Sequence, residues 1–171
     1  MVKKFIDTDP NLLDDDKRII LRYSHPRFDK TNTDYYYLLL DKNHLLWTSK
    51  GYFPSINGKP AKWTGGTDIE FPKEGLLWFI KSIEQKFLKT EAQGGLEKGA
   101  FTYSEEIKGE KLAIKRQFGV PGYGLMNFSR EGHGFAEGDV QLAEFTDVML
   151  FDNGLFKQFT DIAKQIENGE I

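Results

Sequence analysis

Apolar and polar positions alternate along most of this chain, and twice the alternation gives way to helical spacing. Arg18–Tyr23 alternates as Ile19, Leu21, Tyr23 against Arg18, Ile20, Arg22, the signature of a strand with two distinct faces. Tyr35–Leu40 and Leu45–Ser49 read as the second and third strands, joined through Asp41-Lys42-Asn43-His44, and Ile69-Glu70-Phe71 as the fourth. Leu76, Phe79, Ile80, Ile83 and Phe87 then fall on one helical stripe, with Pro72 suited to the helix's first turn. After a Gly94-Gly95 connector, Phe101–Ile107 and Lys111–Phe118 predict a hairpin about Lys108-Gly109-Glu110. Tyr123–Arg130 and Val140–Phe145 add two strands around a glycine loop at Gly132, Gly134 and Gly138. Leu155, Phe156, Phe159, Ile162 and Ile166 form the second helical stripe, with Asp152-Asn153 offering N-cap chemistry.

The two strand-to-helix junctions resemble each other. Thr67-Asp68, Gly75-Leu76 and Ile83 return as Thr146-Asp147, Gly154-Leu155 and Ile162 at a constant offset of 79 residues. Internal repetition of this kind reorganises the whole reading of a chain. The expectation is an α+β fold of two tandem ββββα repeats, antiparallel sheets each covered by an amphipathic helix. The boundaries are an acidic N-terminal arm at 1–16, repeat 1 at 17–88, a connector at 89–99 and repeat 2 at 100–167, together one compact domain. A chain of 171 residues is long enough to bury such a core.

Composition adds three constraints. There is no cysteine, which excludes disulfides and thiolate metal sites and suits a reducing interior. Met1–Asp7 lacks the apolar run of a signal peptide, and no stretch approaches the length that spans a bilayer. The expectation is a soluble intracellular protein without a membrane partner, in the cytoplasm, or the host cytoplasm if the source is viral. The net charge of −3 hides a polarity. Between Lys17 and Trp63 nine basic side chains face three acidic ones, whereas from Phe135 onward only Lys157 and Lys164 oppose eight acids. Local charge governs a charged ligand more than the total does.

No residue set predicts catalysis. His25, His44 and His133 have no metal-ligand spacing, Glu105-Glu106 places its carboxylates on opposite strand faces, and Gly122-Tyr123-Gly124 lacks the third glycine of a dinucleotide loop. A calcium-loop spacing is also missing from Asp139–Glu144. The expectation is a binder that uses neither cofactor nor metal and is not an enzyme.

What stands out is the interleaving of cations and rings. Arg22, Arg27, Tyr35, Tyr37, Trp47, Lys50, Tyr52, Lys62 and Trp63 in the first half suit a groove that tracks a single nucleic-acid strand, with Lys115, Arg116, Tyr123, Phe128 and Arg130 as candidates in the second. Cations hold the backbone and rings stack on bases, with little sequence preference. Part of this aromatic set must instead fill the core. The Gly51–Gly66 stretch, with Tyr52, Phe53 and Trp63, is too aromatic for an idle linker.

Lys111–Arg116, followed by a glycine turn and Tyr123–Arg130, is similar to the opening hairpin of the Whirly and positive-cofactor coactivator proteins. The overall pattern over 17–167 resembles the Whirly tandem repeat, although a lysine-rich Whirly motif is missing and Gly51–Gly66 is an insertion. The resemblance implies a non-sequence-specific single-stranded DNA-binding protein acting in replication, recombination or transcription, of the kind bacteriophages carry. It also implies a homo-oligomer, dimer or tetramer. RNA is a possible polymer for the same contacts. The alternative from another class is a β-rich carbohydrate- or protein-binding module that presents Trp47, Tyr52 and Trp63.

Overall fold

Alternating strands with short polar turns pair with their neighbours in sequence, and here they do so in two meanders. The computed structural model describes residues 6–27, 30, 32–132 and 139–171. Strands β1 (Ile19–Pro26), β2 (Thr33–Asp41), β3 (His44–Phe53) and β4 (Lys62–Pro72) lead into helix α1 (Glu74–Ser82). Strands β5 (Thr102–Ile107), β6 (Glu110–Gln117), β7 (Gly122–Glu131) and β8 (Val140–Thr146) lead to helix α2 (Leu155–Glu167). The β5–β6 turn is a tight two-residue loop, with φ 50° at Lys108 and 83° at Gly109 between the paired Ile107 and Glu110. Positive φ at both positions matches the twist of the flanking strands.

The expectation of two tandem ββββα repeats is corrected by the topology. All eight strands belong to one antiparallel sheet, ordered β1-β2-β3-β4-β8-β7-β6-β5, so β4 and β8 cover each other's edges. One hydrophobic cluster runs through strands β2 to β8 and both helices, and α1 packs on α2. Neither half therefore has its own sheet with its own cover. The junctions are also unlike. Gly75 is buried inside α1, but Gly154 stands at φ 78° as the residue before α2. A π-helical turn at Ile83–Phe87 follows α1, whereas the one at Val148–Asp152 precedes α2. The constant offset therefore pairs settings that are not equivalent.

Smaller corrections follow from the same geometry. Pro72 ends β4 rather than opening a helix, and no side chain caps α2, so Asp152-Asn153 does not fill that role. The connector holds a one-turn 3-10 helix, Glu91–Gln93, with a reciprocal capping box at Thr90. Half of the Gly51–Gly66 stretch, 51–53 and 62–66, extends β3 and β4 into a long hairpin. The glycine loop predicted at Gly134 and Gly138, and His133, lie outside the described residues.

Two cores result, one on each side of the sheet. On the helix side, Trp47, Phe79, Phe145 and Phe159 meet with ring centroids 5.3–6.5 Å apart. Leu76, Phe79, Ile80 and Ile83 from the predicted stripe are all buried there. On the other side, Tyr37, Leu39 and Leu46 are covered by Ile6 and Leu13 from the N-terminal segment. The acidic arm is thus docked across the sheet by its apolar residues, with one 3-10 turn at Leu13–Asp15. Among the described residues no helix is long and apolar enough to cross a membrane.

Ile83 is fully buried and Ile162 nearly so. Ile83→Ala and Ile162→Ala should each lower stability by about 2–5 kcal/mol, with Ile83 the larger, because deletion leaves a cavity as well as losing transfer energy. Urea denaturation that finds either loss below about 0.5 kcal/mol would contradict this placement.

Candidate nucleic-acid interface

A strand can carry one set of side chains to each face, so which rings assemble depends on register. In the β2–β3 pair, Tyr35 stands opposite Lys50, and Tyr37 lies across from Arg22 in β1. Trp63 reaches this face through an irregularity in β4. The β3–β4 register advances two residues, Thr48 to Lys50, while β4 advances three, Asp68 to Gly65. One extra residue reverses the facing of everything beyond it. Without it, Trp63 would share a face with Ile69, which is buried against the helices. Gly66 lies at the bulge, where a Cβ would fall 2.6 Å from Ser49 Oγ.

The outcome is a three-ring cluster on the face opposite the helices. Trp63 meets Tyr52 edge-on at 5.3 Å and Tyr35 at 5.8 Å. These rings, with Pro26, Lys30, Asn32 and Thr33, line a hollow of about 740 Å³. Lys50 Nζ lies 4.3 Å from the Trp63 ring centroid and 5.9 Å from that of Tyr37, and the Arg22 guanidinium is 5.7 Å from Tyr37. Arg27 stacks on Phe53 at 4.6 Å while pairing with Asp34 at 2.8 Å. Lys62 is exposed at the start of β4. Arg22, Tyr35, Tyr37, Lys50, Tyr52 and Trp63 therefore occupy one end of one sheet face, whereas Lys62, next to Trp63 and opposite Phe53, and Arg27, stacked on Phe53, lie on the other.

The remaining predicted residues lie elsewhere. Trp47 points the other way, into the helix-side core, where it stacks on Tyr36 at 5.5 Å. Tyr123 is buried against Phe87 and covered by Arg116, whose guanidinium grips Asp147 through two hydrogen bonds of 2.6 and 2.8 Å. Lys115 and Phe128 are exposed on the second meander, Phe128 beneath Lys111 at 5.7 Å. They do not join the three-ring cluster.

Arg130 is a structural cation. Its side chain is 4% exposed, and it bonds Glu70 Oε1 at 2.9 Å and both oxygens of Glu110 at 2.6 and 2.7 Å. Among the described residues, backbone pairing between β4 and β8 is at Asp68 opposite Leu142, and side chains add to the join. The Glu70 N–H donates to Gln141 Oε1, and Asn127 Nδ2 donates to the Glu70 carbonyl. His44 Nε2 lies 2.7 Å from Glu110 Oε1. Burial opposes ionisation of Glu110, but hydrogen bonds from Arg130, Asn127 and His44 outweigh it and hold its pKa down at about 2. In Glu70 burial wins over Arg130, and its pKa is raised.

Sequence reasoning missed Asp14. Its carboxylate accepts from Lys50 Nζ at 2.6 Å and from the Tyr37 hydroxyl at 2.5 Å, while its backbone carbonyl accepts from Arg22 at 2.9 Å. Bonding to Lys50, then Tyr37, lowers the Asp14 pKa; burial and the Asp14 partner raise that of Tyr37. No local signal pairs residues 36 apart, although the Gly65-Gly66 doublet within a strand was a readable mark of the bulge.

Among the described residues no three acidic, histidine or cysteine side chains converge as metal ligands. Neither the scan against protein-family models nor the search of curated proteins finds a match to this chain.

Two stability outcomes follow from the join. Arg130→Met should cost about 3–5 kcal/mol in denaturant melts, since it strands two buried carboxylates. Because the Glu110 pKa is depressed, its contribution is complete above about pH 4.5 and is lost as pH falls towards 2. Glu110→Gln should flatten that acid limb in melts run from pH 5 to 2; an unchanged limb would show that Glu110 does not carry it.

Proposed function

We propose that the chain is a sequence-tolerant single-stranded DNA-binding protein, and that bases stack at the Tyr35–Tyr52–Trp63 cluster. The observation that carries this reading is the cluster's position beside Arg22, Lys30 and Lys50 on one sheet face. A single strand alternates phosphates with bases, so cations beside rings hold both at once. Tyr35 and Tyr52 are 38% and 39% exposed, enough to offer edges and faces to a ligand while Trp63 braces them. Lys115, Lys111 and Phe128 on the second meander supply a further point of contact along a longer strand. The resemblance of Lys111–Arg130 to the Whirly and positive-cofactor hairpin favours the same ligand class, and with it a role in replication, recombination or transcription in the cytoplasm of a cell or of a phage-infected host.

Fluorescence titration with labelled oligothymidylate tests the reading. Trp63→Ala or Tyr52→Ala should weaken binding about 5- to 150-fold, the range of one lost stack of about 1–3 kcal/mol, and leave the salt slope unchanged. Lys30→Gln, at the cation that lines the ring hollow, should reduce the slope of log K against log salt by about 0.7. Duplex DNA, whose base faces are hidden, should bind far less tightly. Equal binding of RNA would widen the ligand class. Salt-independent binding, or binding to oligosaccharides alone, would replace this reading with the carbohydrate- or protein-binding one.

The end strands of the sheet, β1 and β5, have one unpaired edge each. Such edges favour association with a second copy. Light scattering at micromolar concentration should give a dimer or tetramer; a mass of one 19.7 kDa chain would rule self-association out at that concentration.

A further inference from the structure

A basic-aromatic surface that already holds an anion of its own chain is not fully open to a ligand. Resting on the nucleic-acid reading above, we infer that Asp14 acts as an intramolecular stand-in for a phosphate, and that bound single-stranded DNA replaces its carboxylate on Lys50 and Tyr37. Three groups of the candidate face converge on this one residue. Lys50 Nζ and the Tyr37 hydroxyl hold its two carboxylate oxygens, and Arg22 holds its carbonyl. A phosphate, with oxygens that accept from an ammonium and a hydroxyl at once, suits the same two donors.

Exposure indicates which part would move. Leu13 is 3% exposed and Ile6 1%, so the segment is fixed to the sheet by its apolar side chains. Ile6 N–H also donates to the buried Glu70 carboxylate at 3.2 Å. The Asp14 side chain, by contrast, is 60% exposed, while the Lys50 side chain beneath it is 2% exposed. Asp14 therefore covers a cation that no phosphate reaches until the carboxylate rotates away. Rotation about the Asp14 side chain opens Lys50 without undocking the segment. A hollow of about 300 Å³ beside Asp14, lined also by Arg22, Tyr35 and Tyr37, gives it room.

The test is the same oligothymidylate titration on wild type, Asp14→Asn and the double variant Asp14→Asn, Lys50→Gln. Asp14→Asn should bind several-fold more tightly at low salt, because no carboxylate has to leave Lys50 before a phosphate reaches it. The double variant should lose that gain, and its slope should be shallower than that of wild type by about 0.7, as one cation fewer meets a phosphate. A folded Asp14→Asn protein with wild-type affinity would overturn the inference and leave the nucleic-acid reading standing. If neither wild type nor Asp14→Asn shows salt-dependent binding, that reading fails and the inference falls with it. Should Asp14→Asn not fold, the wild-type protein decides by NMR. The Lys50 Nζ resonance should shift on adding oligothymidylate while the Ile6 and Leu13 amides stay put. A static Lys50 signal at saturating ligand would refute the inference.

Discussion

The structure depends on one buried charge cluster, Arg130 held between Glu70 and Glu110. Two four-strand meanders meet at β4 and β8, where the described backbone pairing is Asp68 opposite Leu142. Beside that pair, side chains bond the backbone and carboxylate of Glu70 across the line. Gln141 satisfies the Glu70 N–H, Asn127 its carbonyl and Arg130 its carboxylate. Buried polar groups are tolerated only when their bonds are made, and here each member supplies what another lacks. Ion pairs of this kind add little net stability over an apolar join, yet removing one partner is severe. Their effect is to fix which residue of β4 faces which residue of β7.

That register reaches the outer face. Glu70, oriented by Arg130, also accepts the Ile6 N–H, which starts the N-terminal segment on its path across the sheet. Leu13 then covers Leu39 and Leu46, and the 3-10 turn carries Asp14 onto Lys50. A cation in the second meander therefore helps to place an anion on the first. Tyr35 and Tyr52 remain more than a third exposed while Lys50 is almost fully covered, so the rings and the cation of this face differ in access.

The strands, the Lys108-Gly109 turn and the α1 stripe were legible because each is set by neighbours within a few residues. The facing of individual rings was not. When one sheet face is wet, alternation identifies the inside, but here both faces are covered, one by helices and the other by the acidic segment. Trp47 and Tyr37 look alike in sequence under those conditions, and only the first joins the helix-side core. Arg130 looked like a phosphate ligand because its partner Glu70 is 60 residues away. The repeat was overread for a related reason: similar short strings at Gly75 and Gly154 gave no sign that the π-helical turns fall on opposite sides of the helices.

The bulge at Gly66 is where local chemistry has its longest reach. An unbroken β4 would direct Trp63 to the helix side, leaving Tyr35 and Tyr52 without the ring that joins them. It would also deprive Lys50 of the aromatic face that lies 4.3 Å from its nearly buried ammonium. Asp14 alone would then have to compensate that charge, and displacing it would expose an isolated cation to a poor environment. With Trp63 in place, Lys50 keeps one favourable partner whichever anion it holds. On the proposed reading, exchange between a carboxylate and a phosphate would then be a near-balanced replacement, as a surface that binds many sequences and releases them requires.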